Sequence, residues 1–496
     1  MRFKKALTIF SFSIILLPVL FLSGCEGFSA DKNIVLLEAA KNGDIAQVQK
    51  SLKKGAAVNT KGNDNMTALM FAAADGHKEI VDMLLKAKAD SSVKTNSEGF
   101  TALMFASKNG HKEVVDMLFK AGADANIQNN SGSTAIIYAV ISNHKEIVDI
   151  LLRAGANPDI QGDGGNTPLL YASLYGYRDI VDILLRAKAN PDLKAKNSQG
   201  ATALILASST GWPEIVNMLL RAKANPNIQT NDGATALMTV AGMQPETFKD
   251  DLSQAIASEV KDRKVADNAQ KSLSNISPSK EGNIKIINML LRARANPNLQ
   301  MTDGNTALIF ASLHNNKEIV SMLLKAGANP NLQMNEGATA LMLASEIGNK
   351  EIVSMLLQAK ANPNLKMPED GSTALMAASQ SGHKEIVYYL LQAKADPNLQ
   401  ANDGVTALIL ASQNGHKEIV SMLLQAKANP NLQAKDGRTA LMYATYEKHK
   451  EIVSILLKSG ANPNLRSKTG VTALSIARDR VKSKEITNLL LKAGAK

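Results

Sequence analysis

The sequence predicts an all-α fold in which short pairs of helices stack into an elongated solenoid. Three observations support it: a period of 33 to 35 residues that is interrupted by one interval of 71, apolar residues at helical spacing, and turn residues between the helices. Thr67 opens the first clear unit with Thr-Ala-Leu, and one period earlier Ile34 opens a unit without the threonine, which makes thirteen. The threonines are Thr67, Thr101, Thr134, Thr167, Thr202, Thr235, Thr306, Thr339, Thr373, Thr406, Thr439 and Thr472.

Each unit follows the plan of residues 401–433, which read ANDGVTALILASQNGHKEIVSMLLQAKANPNLQ. Asn-Asp-Gly at 402–404 is a turn signal, and Thr406 is placed to cap the helix that follows. A second helix carries apolar residues such as Ile419 and Leu423 at helical spacing. Pro430 then ends it, because proline cannot continue a helix. The pattern predicts two short antiparallel helices per unit.

This pattern resembles the ankyrin repeat over essentially all of residues 31–496, with the literal Thr-Pro-Leu of the family at residues 167–169. The resemblance implies polar end units that act as caps, and a contact surface formed by the turns and the exposed end of the first helix. The family's glycine after the second helix is replaced by a cation in several units. A left-handed conformation would cost each of these residues about 1 kcal/mol relative to glycine. They are Lys88, Lys188, Lys223, Arg294, Lys360, Lys394 and Lys427.

The N-terminus predicts export followed by lipid attachment. Arg2, Lys4 and Lys5 precede an apolar run over residues 6–22, which is the order of a signal peptide. Residues 22–25, Leu-Ser-Gly-Cys, resemble the lipobox of bacterial lipoproteins and end in the only cysteine of the chain. We therefore expect a signal peptide over 1–24, a lipidated Cys25, and a short tether over 25–30. A single membrane span is the alternative interpretation of the apolar run.

The resemblance to lipoproteins also suggests a location in the bacterial envelope. An aspartate after the lipidated cysteine marks inner-membrane retention in many such proteins, whereas here Glu26 follows, which favours the outer membrane. We expect the solenoid to face the periplasm, with exposure on the cell surface left open. Without residues 1–24 the chain carries 53 Lys and Arg against 45 Asp and Glu. The lysines are spread along the chain, so we expect a solvated surface and no nucleic-acid partner.

One segment breaks the period, between the two helices of a single unit. It covers residues 243–281 and separates the repeats of 31–242 from those of 282–496. Phe248, Leu252, Ile256 and Val260 recur at every fourth position, which predicts an amphipathic helix.

A cluster of large apolar residues near this insertion is the candidate partner site. Tyr177 and Trp212 replace the histidine that most units place before the second helix. Aromatic clusters are where interface energy concentrates. We favour internal packing beneath the inserted helix, with a partner groove between that helix and the aromatic residues as the alternative. The candidate residues are Ile141, Leu174, Tyr175, Tyr177, Trp212, Phe248, Leu252 and Ile256.

The sequence favours no catalytic or metal site. Six of the seven histidines occupy one repeat position, where neighbours lie about 8–10 Å apart and cannot share a metal ion. Most methionines fall at core positions, and Met301, Met334 and Met367 recur in three successive turns, where packing between turns is favoured. We expect no cofactor and no enzymatic activity.

These observations together predict a monomeric, non-catalytic scaffold that is tethered to the envelope membrane and binds an unidentified protein. A passive structural rod without a specific partner is the alternative. An enzymatic or ligand-binding role for the inserted segment is a third and less favoured interpretation.

Overall fold

A computed structural model describes residues 31–196, 200–242 and 279–496. Thirteen pairs of helices stack along this part of the chain, which confirms both the predicted fold class and the number of units. The first helices span Lys32–Asn42, Ala68–Asp75, Ala102–Asn109, Ala135–Ile141, Pro168–Tyr175, Ala203–Ser209, Ala236–Gly242, Ala307–Leu313, Ala340–Ile347, Ala374–Ser381, Ala407–Gln413, Ala440–Tyr446 and Ala473–Ser475. The second helices span Ile45–Lys53, Lys78–Lys86, Lys112–Lys120, Lys145–Arg153, Arg178–Arg186, Pro213–Arg221, Lys280–Arg292, Lys317–Lys325, Lys350–Gln358, Lys384–Gln392, Lys417–Gln425, Lys450–Lys458 and Lys484–Lys492.

The repeated threonine begins the first helix, as predicted. The side chain of Thr406 accepts a hydrogen bond from the amide of Ile409 at 3.2 Å, which satisfies one of the free N–H groups of the first helical turn. Thr67 and Met70 form the same bond at 3.3 Å. Thr134 is an exception and makes no capping bond through its side chain. The threonine therefore fixes where nearly every unit starts.

The core is continuous along the stack, because each unit buries its apolar residues against the next one. In the second unit Leu69 and Met70 of the first helix are buried, as are Ile80 and Leu84 of the second helix. The methionine position of the first helix is therefore a packing position. Repeats that contact only their neighbours build up stability one interface at a time.

The segments between units form short turns that stack on one another. Gly404 has a φ of 81°, and the amide of Lys435 in the next turn donates to the carbonyl of Asp403. In the described part of the chain, extended backbone pairs only at an isolated bridge between Gln433 and Thr439. The turn residues Met301, Met334 and Met367 are half-buried against the core, which confirms that they pack within the stack.

The unit that contains the insertion keeps both of its helices. Its second helix begins at Lys280, with Ser279 as the N-cap, so the last two residues assigned to the insertion, Lys280 and Glu281, belong to this helix. Phe248, Leu252 and Ile256 lie outside the described residues, so their predicted helix stays a prediction. Cys25 and the proposed signal peptide also lie outside them.

The stack continues across the insertion without a change of pattern. The side chain of Asn227, before the insertion, accepts a hydrogen bond from the amide of Asn296 at 2.6 Å and donates one to the carbonyl of Arg294 at 3.3 Å. The insertion therefore leaves the contact between neighbouring units intact. None of the described helices is both long enough and apolar enough to span a bilayer.

Candidate interaction surfaces

Asparagine side chains link successive units at the loop after the second helix. Asn398 accepts a hydrogen bond from the amide of Asn429 at 2.7 Å and donates one to the carbonyl of Lys427 at 3.2 Å. Each such side chain satisfies two backbone groups of the next unit, so it fixes the spacing between the units. The same pair of bonds is made by Asn126, Asn227, Asn298, Asn331, Asn364, Asn431 and Asn464.

The histidines at the start of the second helix are structural, as the sequence analysis favoured. A ring nitrogen of His416 lies 3.0 Å from the carbonyl oxygen of Gln380 in the preceding unit. The ring covers Gly382, whose φ is 80° and on which a Cβ would approach the imidazole to 2.6 Å. Glycine is required there for both its conformation and the close approach of the ring. Within the described residues, no group of three His, Cys, Asp or Glu is placed to hold a metal ion.

Trp212 takes the place of this histidine in the sixth unit. Its indole nitrogen donates to the carbonyl of Leu174 at 3.4 Å, and its ring lies over Gly176. Tyr175 and Tyr177 have ring centroids 5.5 Å apart, and both lie in the unit that Trp212 covers. The structure therefore brings Leu174, Tyr175, Tyr177 and Trp212 together at the fifth unit, whereas Ile141 lies in the fourth unit.

Burial within this cluster is uneven. Ile141, Leu174 and Tyr175 are 5%, 7% and 3% exposed, whereas Tyr177 and Trp212 are half-buried. The three buried side chains offer a partner almost no surface, which agrees with the favoured interpretation of internal packing. Their role in partner binding stays a prediction, as does their coverage by the inserted segment.

A second aromatic group, which the sequence analysis missed, lies on the first helices of three successive units. Phe71, Phe105 and Tyr138 occupy the same repeat position, directly after the buried Met70 or its equivalent, and all three are half-buried. We call these three residues the aromatic strip. The ring of Phe100 packs against two members of the strip. Its centroid lies 5.1 Å from that of Phe105 and 4.7 Å from that of Tyr138.

Two lysines lie beside the aromatic rings, and one member of the aromatic strip is held by a hydrogen bond. The ammonium of Lys41 lies 5.9 Å from the ring centroid of Phe71, and that of Lys108 lies 5.5 Å from the centroid of Phe100. The amide nitrogen of Asn129 donates to the hydroxyl of Tyr138 at 2.9 Å. Burial raises the pKa of Tyr138 to about 12, so its hydroxyl stays protonated at neutral pH.

Position-by-position comparison of the units is the signal that could have found the strip. The aromatic residues predicted as a site lie instead near the loop that bears the histidine. At the position of Phe71, the fifth to twelfth units carry aromatic, aliphatic and polar residues, and two of these, Tyr171 and Leu206, are buried. The residues are Tyr171, Leu206, Thr239, Phe310, Leu343, Ala377, Leu410 and Tyr443. Such variation at a half-exposed site is typical of a surface that serves a partner, because the stack itself accepts several residue types there.

The cations that replace the family's glycine adopt the left-handed conformation, which confirms the condition set by the sequence analysis. Their φ angles lie between 63° and 68°. Glycine fills the same place at Gly122, Gly155, Gly327 and Gly460. A residue with a Cβ costs about 1 kcal/mol more there. The cations with positive φ are Lys88, Lys188, Lys223, Arg294, Lys360, Lys394 and Lys427.

Comparison with known proteins gives one short curated match. Over 64 residues, or 13% of this chain, it is 39% identical to the human mitochondrial disaggregase. That stretch is 9% of the disaggregase, so this chain spans less than a tenth of the length of that protein.

Family models match most of the chain. A model of three ankyrin repeat copies matches residues 36–129, 117–195, 277–367, 360–434 and 424–496, and a model of the single ankyrin repeat matches residues 199–231. Repeats of this type are typically non-catalytic and act as scaffolds for protein–protein interaction. The helix pairs, the capping threonines and the stacked turns fit the same architecture. The chain belongs to the ankyrin repeat family.

Proposed function

We propose that this chain binds another protein through the aromatic strip while a lipidated Cys25 holds it at a bacterial envelope membrane. The observation that carries the binding part is the strip itself: Phe71, Phe105 and Tyr138 are half-exposed at one repeat position in neighbouring units. Aromatic side chains held rigidly on helices are typical interface anchors. Lysines beside the rings favour a partner that presents apolar groups next to carboxylates.

The anchoring part rests on the sequence. Cys25 follows a basic and then apolar N-terminal segment, at the position where lipoproteins are acylated. More than one acyl chain is needed for stable attachment, since one chain binds a bilayer only weakly. We place the scaffold as a monomer at the outer membrane, facing the periplasm.

The binding proposal is tested by cross-linking in intact cells followed by recovery of the chain. The test variant changes Phe71, Phe105 and Tyr138 to Leu. Leucine is compatible with the stack, because other units carry it at this position as Leu206, Leu343 and Leu410. We expect one dominant partner with the parent chain and a loss of at least about tenfold with the variant.

A matched control changes Tyr443, at the same position of a distant unit, to Leu. This control should retain the partner. A diffuse set of proteins, or none, would support the passive rod. Equal recovery with the test variant would remove the aromatic strip from the interface.

The anchoring proposal has its own test. Cells labelled with a palmitate analogue should label the parent chain and not the Cys25→Ser variant. Labelling of that variant would show that Cys25 is not the acylated residue.

A further inference from the structure

The cations that replace the family's glycine after the second helix lie in one row along an edge of the stack. Asn331 donates from its side-chain amide to the carbonyl of Lys360 at 3.3 Å, Asn364 to that of Lys394 at 3.2 Å, and Asn398 to that of Lys427 at 3.2 Å. Each bond joins the loop of one unit to the same loop of the next. Lys360, Lys394 and Lys427 are therefore each one unit apart, about 8–10 Å.

Charge along this edge changes from the first half of the stack to the second. We define an edge segment as eleven residues around the end of a second helix. It begins at the fifth residue of that helix, or at the equivalent residue, and ends four residues after the position with positive φ. That last position is the one that Asn398 holds in segment 388–398. The four segments 82–92, 116–126, 149–159 and 182–192 together hold six Lys and Arg and eight Asp. The seven segments 217–227, 288–298, 321–331, 354–364, 388–398, 421–431 and 454–464 hold nine Lys and Arg and one Asp.

Local ion pairs offset the cations in the first half of the edge, where six Lys and Arg stand against eight Asp, a net charge of −2. Asp82 and Lys86 lie 2.7 Å apart, and Asp149 and Arg153 form the same pair at 2.7 Å one helical turn apart. From residue 217 onward the position of these aspartates holds Asn, Ser or Tyr instead. The cations of the second half therefore lack this local partner.

Within the seven segments of the second half, five cations stand at positive φ with exposed side chains. They are Lys223, Arg294, Lys360, Lys394 and Lys427. Among the described residues, none of the five forms an ion pair. Glycine would remove the backbone strain of the positive φ at these positions. Two other units of this half carry glycine there, Gly327 and Gly460. Strain that persists at an exposed charged residue points to a use for the charge.

We propose that this edge, from Lys223 to Lys458, binds the anionic headgroups of a phospholipid bilayer, so that the solenoid lies along the membrane. The proposal rests on the membrane attachment proposed above, which brings a bilayer within reach of the first unit. Anionic lipids attract basic segments near a membrane surface, and a basic patch strengthens the hold of a lipid anchor. Lipid headgroups diffuse laterally, so their negative charges can match cations that are spaced by one unit.

A nucleic acid fits the edge less well. Proteins that bind single strands stack successive bases on aromatic rings, whereas only one of the seven segments, 388–398, contains aromatic residues, Tyr388 and Tyr389. The lysines also lie at the carbonyl ends of helices, where a positive charge offsets the helix dipole. If the lysines served only to offset the helix dipole, they would not contact lipid. The tests below therefore distinguish this structural role from lipid binding.

The first test measures lysine acetylation by mass spectrometry on the full chain, with Cys25→Ser to remove any acyl group. Vesicles of equal parts phosphatidylglycerol and phosphatidylcholine are compared with vesicles of phosphatidylcholine alone. We expect Lys360, Lys394 and Lys427 to be protected only by the anionic vesicles. Lysines at the start of the second helices of the same units should react equally with both, and these are Lys350, Lys384 and Lys417.

The second test uses two variants with equal charge. One changes Lys360, Lys394 and Lys427 to Gln, and the control changes Lys350, Lys384 and Lys417 to Gln at the opposite ends of the same helices. The preference for anionic over neutral vesicles should fall at least about tenfold in the first variant and far less in the control, since each cation near the surface contributes about a fivefold factor.

Three outcomes would overturn the proposal: no protection, equal protection by both kinds of vesicle, or equal losses in the two variants. Protection by duplex DNA in the absence of any effect of vesicles would assign the edge to nucleic acid instead. Failure of the anchoring proposal would be detected separately from failure of lipid binding by the edge. A chain that takes up no palmitate would still show protection of the edge lysines.

Discussion

Trp212 lies so close over Gly176 that a Cβ built on this glycine would approach the indole ring to 2.6 Å. The φ of Gly176 is 78°, so the position excludes other residues on two grounds, conformation and space. The contact joins the fifth and sixth units, and it repeats with tryptophan what histidine does elsewhere in the stack.

We predict that Gly176→Ala destabilises the stack by roughly 2–4 kcal/mol, because backbone strain and overpacking add. The matched control is Gly122→Ala, whose φ is 87° but whose Cβ would meet no atom within 4 Å. It should lose only about 1 kcal/mol, from strain alone. Urea unfolding followed by circular dichroism measures both. Equal losses would show that the indole ring moves aside without cost.

Replacing Lys394 with glycine should raise stability by about 1 kcal/mol, because its φ of 64° is strained for a residue with a Cβ. Lys384→Gly is the opposing control, since this lysine begins the second helix of the same unit and has no such strain. There, glycine should be neutral or destabilising. A melting temperature that does not rise with Lys394→Gly would contradict this account of the left-handed position.

A buried serine recurs in the first helices, and its hydroxyl lacks a hydrogen-bond partner at Ser345. The equivalent position of the second unit holds Ala73, which is also fully buried. We predict that Ser345→Ala stabilises the chain by about 1 kcal/mol and that Ala73→Ser destabilises it by a similar amount. Thermal melts of the two variants provide the check, and two shifts of the same sign would refute it.

The pKa of His144 is lowered from its ordinary value of 6.5, mainly because the ring is buried, although its hydrogen bond to the carbonyl of Lys108 acts in the opposite direction. The unfolded chain therefore binds a proton more readily than the folded chain. This contribution to stability is complete above about pH 6.5 and decreases as the pH falls through the lower folded value.

We compare the parent with His144→Asn, since Asn316 and Asn349 hold this position in other units. Below about pH 6.5 the parent should lose stability faster than the variant. Parallel pH dependence would show that His144 does not titrate differently on folding.

Deletion of residues 243–278 should shift the fluorescence of Trp212 to longer wavelength if the inserted segment covers this region. The helical circular dichroism of the remaining units should change little, because Asn227 bonds directly to the unit's closing loop at Asn296. An unchanged emission spectrum would show that the insertion lies elsewhere. Trp212 is the only tryptophan, so the signal reports on this site alone.

Much of the architecture could be predicted from the sequence, because each unit repeats the same local signals. Thr406 and its equivalents mark helix starts, and the period gives the number of pairs. The left-handed angle of Lys394 follows from its place after a helix, where the family carries glycine. Local chemistry of this kind is independent of distant contacts.

The surfaces were harder to predict, because exposure depends on residues in the neighbouring units. Leu174 and Tyr175 are both buried, and the sequence alone left open whether they pack internally or line a partner groove. Phe71 was overlooked, although its repeat position is half-exposed and differs among units. The asparagine bridges also went unnoticed, since the Asn-Pro-Asn segment reads as a simple helix stop until Asn398 is seen to bond to the next unit.

The bonds between Asn227 and the loop at residues 294–296 also determine how the stack would carry mechanical load. Tension applied at the two ends passes from unit to unit through packed helices and these side chains while the seventh unit, which contains residues 243–278, is folded. Once that unit yields, it releases about twice the contour length of any other unit, since a chain lengthens by about 3.6 Å per residue. In a pulling experiment the seventh unit would thus be recognisable by a single long step among a series of uniform ones.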